Sequence, residues 1–200
     1  MNPVVEAIKT RRSVKNVDLK RTPSPETIKQ ILEAATWAPN HHMTEPWRFV
    51  VIANEHRLKL GESMAAALKG GMRTIDESQI KEVLRVERDK ALRAPVIIAL
   101  ICSQKSGERI VPQEEMIAAG AALQNLLLAT HSLGLGAIVR TGPHAYSQPV
   151  RDYLDLAEKE LLIGFIYLGY PVDSTPPASK RTSVDSKVQW RGLLPSSAPS

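Results

Sequence analysis

The chain has 200 residues, 43% of them hydrophobic and 24% charged, with a formal net charge of +5. That is the composition of a folded globular protein, long enough to bury roughly 70% of the surface its unfolded chain exposes. A single cysteine, Cys102, excludes an internal disulfide, and apolar runs such as residues 116–123 fall far short of the ~18 residues that span a bilayer.

The basic charge is unevenly placed. The first 21 residues hold Lys9, Arg11, Arg12, Lys15, Lys20 and Arg21 against only Glu6 and Asp18. Such a cluster suits nucleic acid, an anionic membrane or a phosphorylated small molecule. Residues 1–9 lack the apolar core of a secretory leader. The expectation is a soluble protein of the reducing cytoplasm, one domain over residues 1–200, with Cys102 a small buried hydrophobe.

Asn2-Pro3 is a helix start, because asparagine caps and proline is tolerated at the first helical position. Val4, Val5 and Ile8 are expected to form that helix's buried face. The periodicity then breaks at Arg11-Arg12-Ser13-Val14-Lys15. Two guanidiniums, a hydroxyl and an ammonium within five residues suit a phosphate, since arginine donates in a planar fork; a solvated basic turn is the alternative. Ser24-Pro25 repeats the cap-then-proline start, and Ile28, Ile31, Leu32 and Ala35 recur at helical spacing. Pro39 should stop that helix.

Residues 37–49 then form a fixed loop between this helix and a strand read over residues 49–53. The loop carries His41, His42, Glu45, Trp37 and Trp47, in a chain only 4% aromatic. Either the tryptophans are core and the histidines surface, or the loop binds a ligand. Asn54-Glu55 opens a further helix with Leu58, Leu60, Met64, Ala65 and Leu68 for packing, and Gly70-Gly71 ends it. Residues 72–93 are charge-rich and read as a solvated helix or a mobile segment.

Ala94-Pro95 leads into a continuous apolar run through Cys102, the pattern of a strand buried on both faces. Residues 113–133 form the most apolar helix, with five small residues in a row; a helix apolar all round is buried in the protein or against a partner. Its Gln124 and Asn125 need hydrogen-bond partners. Leu133-Gly134-Leu135-Gly136 turns into the strand that holds Val139, Arg140 and Thr141. Those glycines admit either a flat ligand or a plain helix-to-strand turn. A short helix over residues 149–156 and an apolar strand over residues 161–171 follow. Beyond Pro171 the chain is rich in proline, serine and threonine, with Lys180 and Arg181, and packs by wrapping. Four strand-like runs among helices give an α/β or α+β class.

No Gly-x-Ser-x-Gly elbow, Walker loop or zinc-like Cys/His cluster is present. Adjacent His41 and His42 point apart and make a poor metal pair. So thin an inventory of acids and bases favours chemistry carried by a cofactor.

Four motifs in order carry a resemblance. They are a helix into Arg11-Arg12-Ser13, a helix ending Ala38-Pro39 before a polar loop and Pro46-Trp47-Arg48-Phe49, the Gly134-Leu135-Gly136-Ala137 turn, and the late strand ending Leu168-Gly169-Tyr170-Pro171. Together with Lys180-Arg181 they resemble the FMN-dependent nitroreductase family, in its compact bacterial NAD(P)H branch. The resemblance implies an α+β fold with one mainly antiparallel sheet flanked by helices, and an intertwined homodimer with FMN sites shared between subunits. It implies that Arg11, Arg12 and Ser13 meet the FMN phosphate and that Lys15 lies toward the pyrimidine edge. It further implies that His41 and Glu45 reach the flavin of the other subunit, that Val139, Arg140 and Thr141 line the ring or phosphate side, and that Arg181 contacts phosphate. Residues 129–134 correspond to a segment linked to nicotinamide nucleotides.

The implied activity is ping-pong hydride transfer from NADH or NADPH through FMN to a small electron-poor acceptor such as a nitroaromatic or a quinone. No metal, nucleic acid or membrane takes part. Dehydrogenation, dehalogenation, flavin fragmentation or flavin binding without turnover on the same fold are the alternatives.

Overall fold

The computed structural model describes residues 2–69, 76–172 and 180–192. The expected Gly70-Gly71 stop, the start of the charge-rich segment and the last eight residues lie outside that description. Among the described residues, six α-helices and four strands are ordered α1 (Pro3–Thr10), α2 (Pro25–Thr36), β1 (Trp47–Ala53), α3 (His56–Lys69), α4 (Glu77–Asp89), β2 (Val96–Ser103), α5 (Pro112–Ser132), β3 (Gly136–Arg140), α6 (Gln148–Tyr153) and β4 (Glu160–Gly169).

The strands form one antiparallel sheet in the order β1-β2-β4-β3. β2 is central, and its alternation serves two cores. Val96, Ile98 and Leu100 face α2 and α5 with Ile28, Ile31, Ala35, Ala122 and Leu126. Ile97, Ala99 and Ile101 face α3 and α6 with Leu60, Met64 and Val150. This is the doubly buried strand that the unbroken apolar run predicts. The class is therefore α+β, with helices on both faces of the sheet.

Local chemistry sets the helix starts. The Asn2 side chain accepts from the Val4 N–H at 2.9 Å, and the Ser24 hydroxyl accepts from the Thr27 N–H at 3.2 Å. α2 ends at Thr36, before Pro39. β1 begins at Trp47, two residues ahead of the expected start, because Trp47 pairs with Cys102 and Pro46 O accepts the Ser103 N–H. Within the charge-rich segment, residues 77–89 are a regular helix packed on α3, close enough that a Cβ on Gly61 would meet the Arg88 carbonyl.

Two expectations about burial are corrected. Val4, Val5 and Ile8 are all exposed, because no described residue covers the apolar face of α1. Gln124 is exposed, so its amide does not need a protein partner. α5 is apolar but leaves Met116 and Ile117 exposed, which fits the partner-facing alternative as well as the buried one. Trp47 is core, whereas Trp37 is 86% exposed.

Arg48 ties β1 to β4. Its guanidinium donates to both carboxylate oxygens of Glu160, at 2.8 and 2.6 Å, and to the Leu154 carbonyl. These bonds hold the Glu160 carboxyl below its ordinary range against the opposing effect of burial. A depressed pKa means the stabilisation is complete above the unfolded value of about 4.3 and is lost as pH falls through the folded one. Thermal unfolding of Glu160→Gln should therefore lie well below wild type at pH 7, with the gap closing as the pH drops below about 4. Arg48→Met, which strands a mostly buried carboxylate, should cost about 3 kcal/mol at neutral pH.

Candidate functional site

The sequence-predicted residues gather at the two edges of the sheet. β3 is one edge, and residues 13–18 lie across its end. The Val14 N–H donates to Ala137 O at 3.0 Å, the Asp18 N–H to Tyr170 O at 2.8 Å, and the Val172 N–H to Asn16 O at 3.2 Å. This crossing requires Gly136 and Gly169, which pair with each other. A Cβ on Gly136 would stand 2.7 Å from Val14 Cβ, and one on Gly169 would stand 2.9 Å from Val17 Cβ. The space at Gly136 is thus filled by the chain's own valine. Gly134 makes the turn itself, at φ +73°.

Arg11 and Arg12 line a cavity of about 200 Å³ with Thr130, His131 and Ala137, on the α5 side. Ser13 and Lys15 are exposed beside it. The Lys15 ammonium has no hydrogen bond or ion pair among the described residues. Val139, Arg140 and Thr141 line a second cavity, of about 390 Å³, with Gly142, Lys90, Arg93, His144 and Tyr167. Along β3 the side chains alternate, so Val139 packs with the α2–α5 core. Arg140 turns to the other face, with its guanidinium 5.3 Å from the Tyr167 ring.

Charge in the second cavity is unbalanced. Glu87 is paired with Lys90, but no carboxylate among the described residues pairs with Arg93 or Arg140. Burial pushes the Tyr167 hydroxyl up to about 12, with Arg140 and Arg93 pulling the other way. Two side-chain polar atoms among the described residues are buried without a hydrogen-bond partner, Arg11 Nε and Arg140 Nε. A buried guanidinium nitrogen left in that state wants an acceptor.

His41 and Glu45 lie elsewhere, ahead of β1 at the opposite edge. Three strand spacings separate β1 from β3, about 14 Å. Both side chains are exposed, and His41 Nδ1 is 3.1 Å from Glu114 Oε2. His42, Met43 and Glu45 all have positive φ, at 53°, 52° and 47°, a conformation that costs roughly 1 kcal/mol or more per residue. The Thr44 hydroxyl donates to Glu115 at 2.6 Å, and the Glu45 N–H donates to Asn40 Oδ1 at 3.0 Å. Arg181 sits in a tail, residues 180–192, whose every residue is exposed. It lines neither cavity.

Sequence reasoning missed Lys90, Arg93 and His144. The signal was there in Lys90-Ala91-Leu92-Arg93, two cations flanking apolar residues just before a buried strand. It was hidden inside a segment read only by its charge. No group of acids, histidines or cysteines among the described residues could hold a metal, and no helix among them is long and apolar enough to cross a membrane.

Arginines and a lysine gather around β3 with Glu87 the one carboxylate among the described residues lining either cavity, so the two cavities of this α+β protein have a positive lining. The profile of the Nitroreductase family matches residues 8–170, and the chain belongs to that family. A provisionally named NAD(P)H nitroreductase of Escherichia coli (strain K12) is 30% identical over 167 residues, covering 84% of this chain and 87% of that protein. The crystal structure of a nitroreductase-like family protein from Bacillus cereus aligns with a TM-score of 0.80 at 25% identity, over 94% of this chain and 96% of its own. A provisionally named nitroreductase from Desulfovibrio desulfuricans, solved in complex with FMN, aligns with a TM-score of 0.70 at 27% identity, over 97% and 99%.

The crossing of residues 13–18 over β3 can be tested without a ligand. Gly136→Ala should lower unfolding free energy by about 1–3 kcal/mol, the range for overpacking a filled site, as read from urea denaturation. A neutral result would mean that residues 13–18 are not seated there.

Proposed function

We propose that this protein is an FMN-dependent NAD(P)H oxidoreductase of the nitroreductase type, acting as a homodimer on small electron-poor acceptors such as nitroaromatics and quinones. One observation carries the reading. The buried side-chain nitrogens left without a partner, Arg11 Nε and Arg140 Nε, belong to two arginines that the family resemblance gives to FMN. The residues present fit that group, which brings a dianionic phosphate and a ring whose pyrimidine edge gains negative charge on reduction.

In this reading Arg11, Arg12 and Ser13 hold the phosphate, joined by Arg181 from the exposed tail. Arginine's planar fork and the short serine hydroxyl are the donors that such a group needs. The backbone of residues 139–142 flanks the ring, and Arg140, Lys90 and Arg93 supply positive potential beside it. Lys15, two residues past Ser13, meets the N1–C2=O2 edge. Its solvated, unpaired ammonium is free to do so.

His41 and Glu45 serve the site of a second copy. Placed on the far edge of the sheet, they do not reach the β3 cavities of their own chain, and their exposure leaves them free to face another. The exposed apolar face of α1, together with Trp37, Ile117 and the tail, supports burial against that copy.

FMN bound there would supply the redox chemistry, accepting a hydride from NAD(P)H and returning electrons to the acceptor in two separate half-reactions. The chain binds, orients and tunes, and contributes no nucleophile. Its single thiol, Cys102, is fully buried and raised by that burial to about 11. A buried thiol also suits the reducing cytoplasm.

Purified protein should be yellow with one FMN per chain, bleached anaerobically by NADH or NADPH. Arg11→Ala and Arg140→Ala should each weaken FMN retention on dialysis, the loss of a charge-assisted bond being about 1.5–3 kcal/mol. Full retention by both variants would refute the assignment.

Lys15→Met should leave phosphate binding largely intact but disfavour the reduced flavin. For a two-electron couple ~30 mV corresponds to ~1.4 kcal/mol, so the expected scale is a downward shift of a few tens of millivolts. Anaerobic redox titration reads it, and an unchanged midpoint would place Lys15 away from the ring.

A further inference from the structure

Glu115 is 2% exposed, at the fourth position of α5, where Pro112 is the first. Its two oxygens serve two different connections. Oε1 accepts the Thr44 hydroxyl at 2.6 Å, and Oε2 accepts the Lys105 N–H at 3.2 Å. One buried acid therefore ties the His41–Met43 turn to the chain leaving β2. The next residue back, Glu114, reaches His41 at 3.1 Å from the rim.

This tie has something to oppose. The turn holds three residues at positive φ, none of them glycine, and such a conformation persists only where its surroundings impose it. Among the described residues the restraints are the Asn40 side chain on the Glu45 N–H, the Thr44 N–H on His41 O, the Thr44 hydroxyl shared between His41 O and Glu115, and the His41–Glu114 contact at the rim. Of these, Thr44–Glu115 alone anchors the turn to a buried charged group on another element. The hydroxyl-to-carboxylate bond is short, as charge-assisted bonds are. With Thr44 fixed inward, its neighbours His41 and Glu45 stand outward and exposed.

We infer that Glu115, acting through Thr44, is a positioning residue for the flavin site of the second copy. It touches no flavin. It holds the strained turn in the one conformation that presents His41 and Glu45 across the dimer. The inference rests on the shared-site reading above.

The test compares Thr44→Val, Thr44→Ser and Glu115→Gln with wild type in the full-length protein. Valine keeps the shape and removes the hydroxyl, whereas serine restores it. Two readouts are taken: amide hydrogen exchange of residues 40–46 without flavin, and the FMN dissociation constant with the visible circular dichroism of bound FMN. Thr44→Val and Glu115→Gln should speed exchange in the turn. They should also weaken FMN about tenfold, the scale of one charge-assisted bond, and alter the dichroism, while Thr44→Ser stays near wild type in all three.

Faster exchange in the turn with unchanged FMN affinity and dichroism would overturn the inference and leave the flavin reading standing. Unchanged exchange would overturn it at its first step, as would a Thr44→Ser protein as impaired as Thr44→Val. A wild-type protein that takes up no FMN would instead overturn the reading beneath it.

Discussion

Two missing side chains organise this protein. Gly136 and Gly169 stand opposite each other at the end of the β3–β4 pair, and the valines of residues 13–18 fill the space where their Cβ atoms would be. Sheet and N-terminal segment are thereby locked in register by the Val14 and Asp18 amide bonds. Everything basic that precedes and follows that crossing, from Arg11 to Lys15, is delivered to the outer edge of β3. A bulkier residue at either glycine would lift the whole cluster away from the strand that carries Val139, Arg140 and Thr141.

The second constraint is separation. An antiparallel sheet of order β1-β2-β4-β3 puts the His41 turn and the arginine-rich edge on opposite sides. On the shared-site reading proposed above, a single chain displays two half-sites, and a two-fold dimer is the simplest arrangement that joins unlike halves twice over. That proposed arrangement would also cover features otherwise costly in a lone chain: an α1 with no buried residue, an almost bare Trp37 and a tail exposed along residues 180–192. The half-buried Arg48–Glu160 bridge, by contrast, does its work inside the chain, fastening the loop-bearing edge strand to the start of β4.

Much of the fold was legible because the relevant signals are local. Proline behind a capping residue marked α1 and α2, and the unbroken apolar run marked β2. Period-3.6 patterning marked α2 down to its buried Ile28, Ile31 and Ala35. The same patterning misled for Val4, Val5 and Ile8, since an amphipathic face reports that a surface wants covering and not whether the same chain covers it. The glycines before β3 were read as either a ligand approach or a turn. They proved to be a turn at Gly134 and a backbone crossing at Gly136, and that crossing pairs residues over a hundred positions apart. Lys90 and Arg93 had a local signal, two cations flanking apolar residues before β2, but their meeting with Arg140 depends on the packing of α3, α4 and the sheet. Nothing in the sequence singles out Glu115, whose burial beneath Thr44 follows only from the fold.

The central claim is that each flavin site is built from the arginine edge of one chain and the His41 turn of another. Mixed dimers test it most directly. One chain carries Arg11→Ala with Arg140→Ala, the other carries His41→Ala with Glu45→Ala, and differently tagged copies are refolded together and purified as the hybrid. Neither parent dimer should retain FMN. The account predicts that the hybrid retains one FMN per dimer, because one of its two sites then combines an intact arginine edge with an intact turn. A hybrid as empty as its parents would contradict it, since sites confined to single chains remain damaged in every combination.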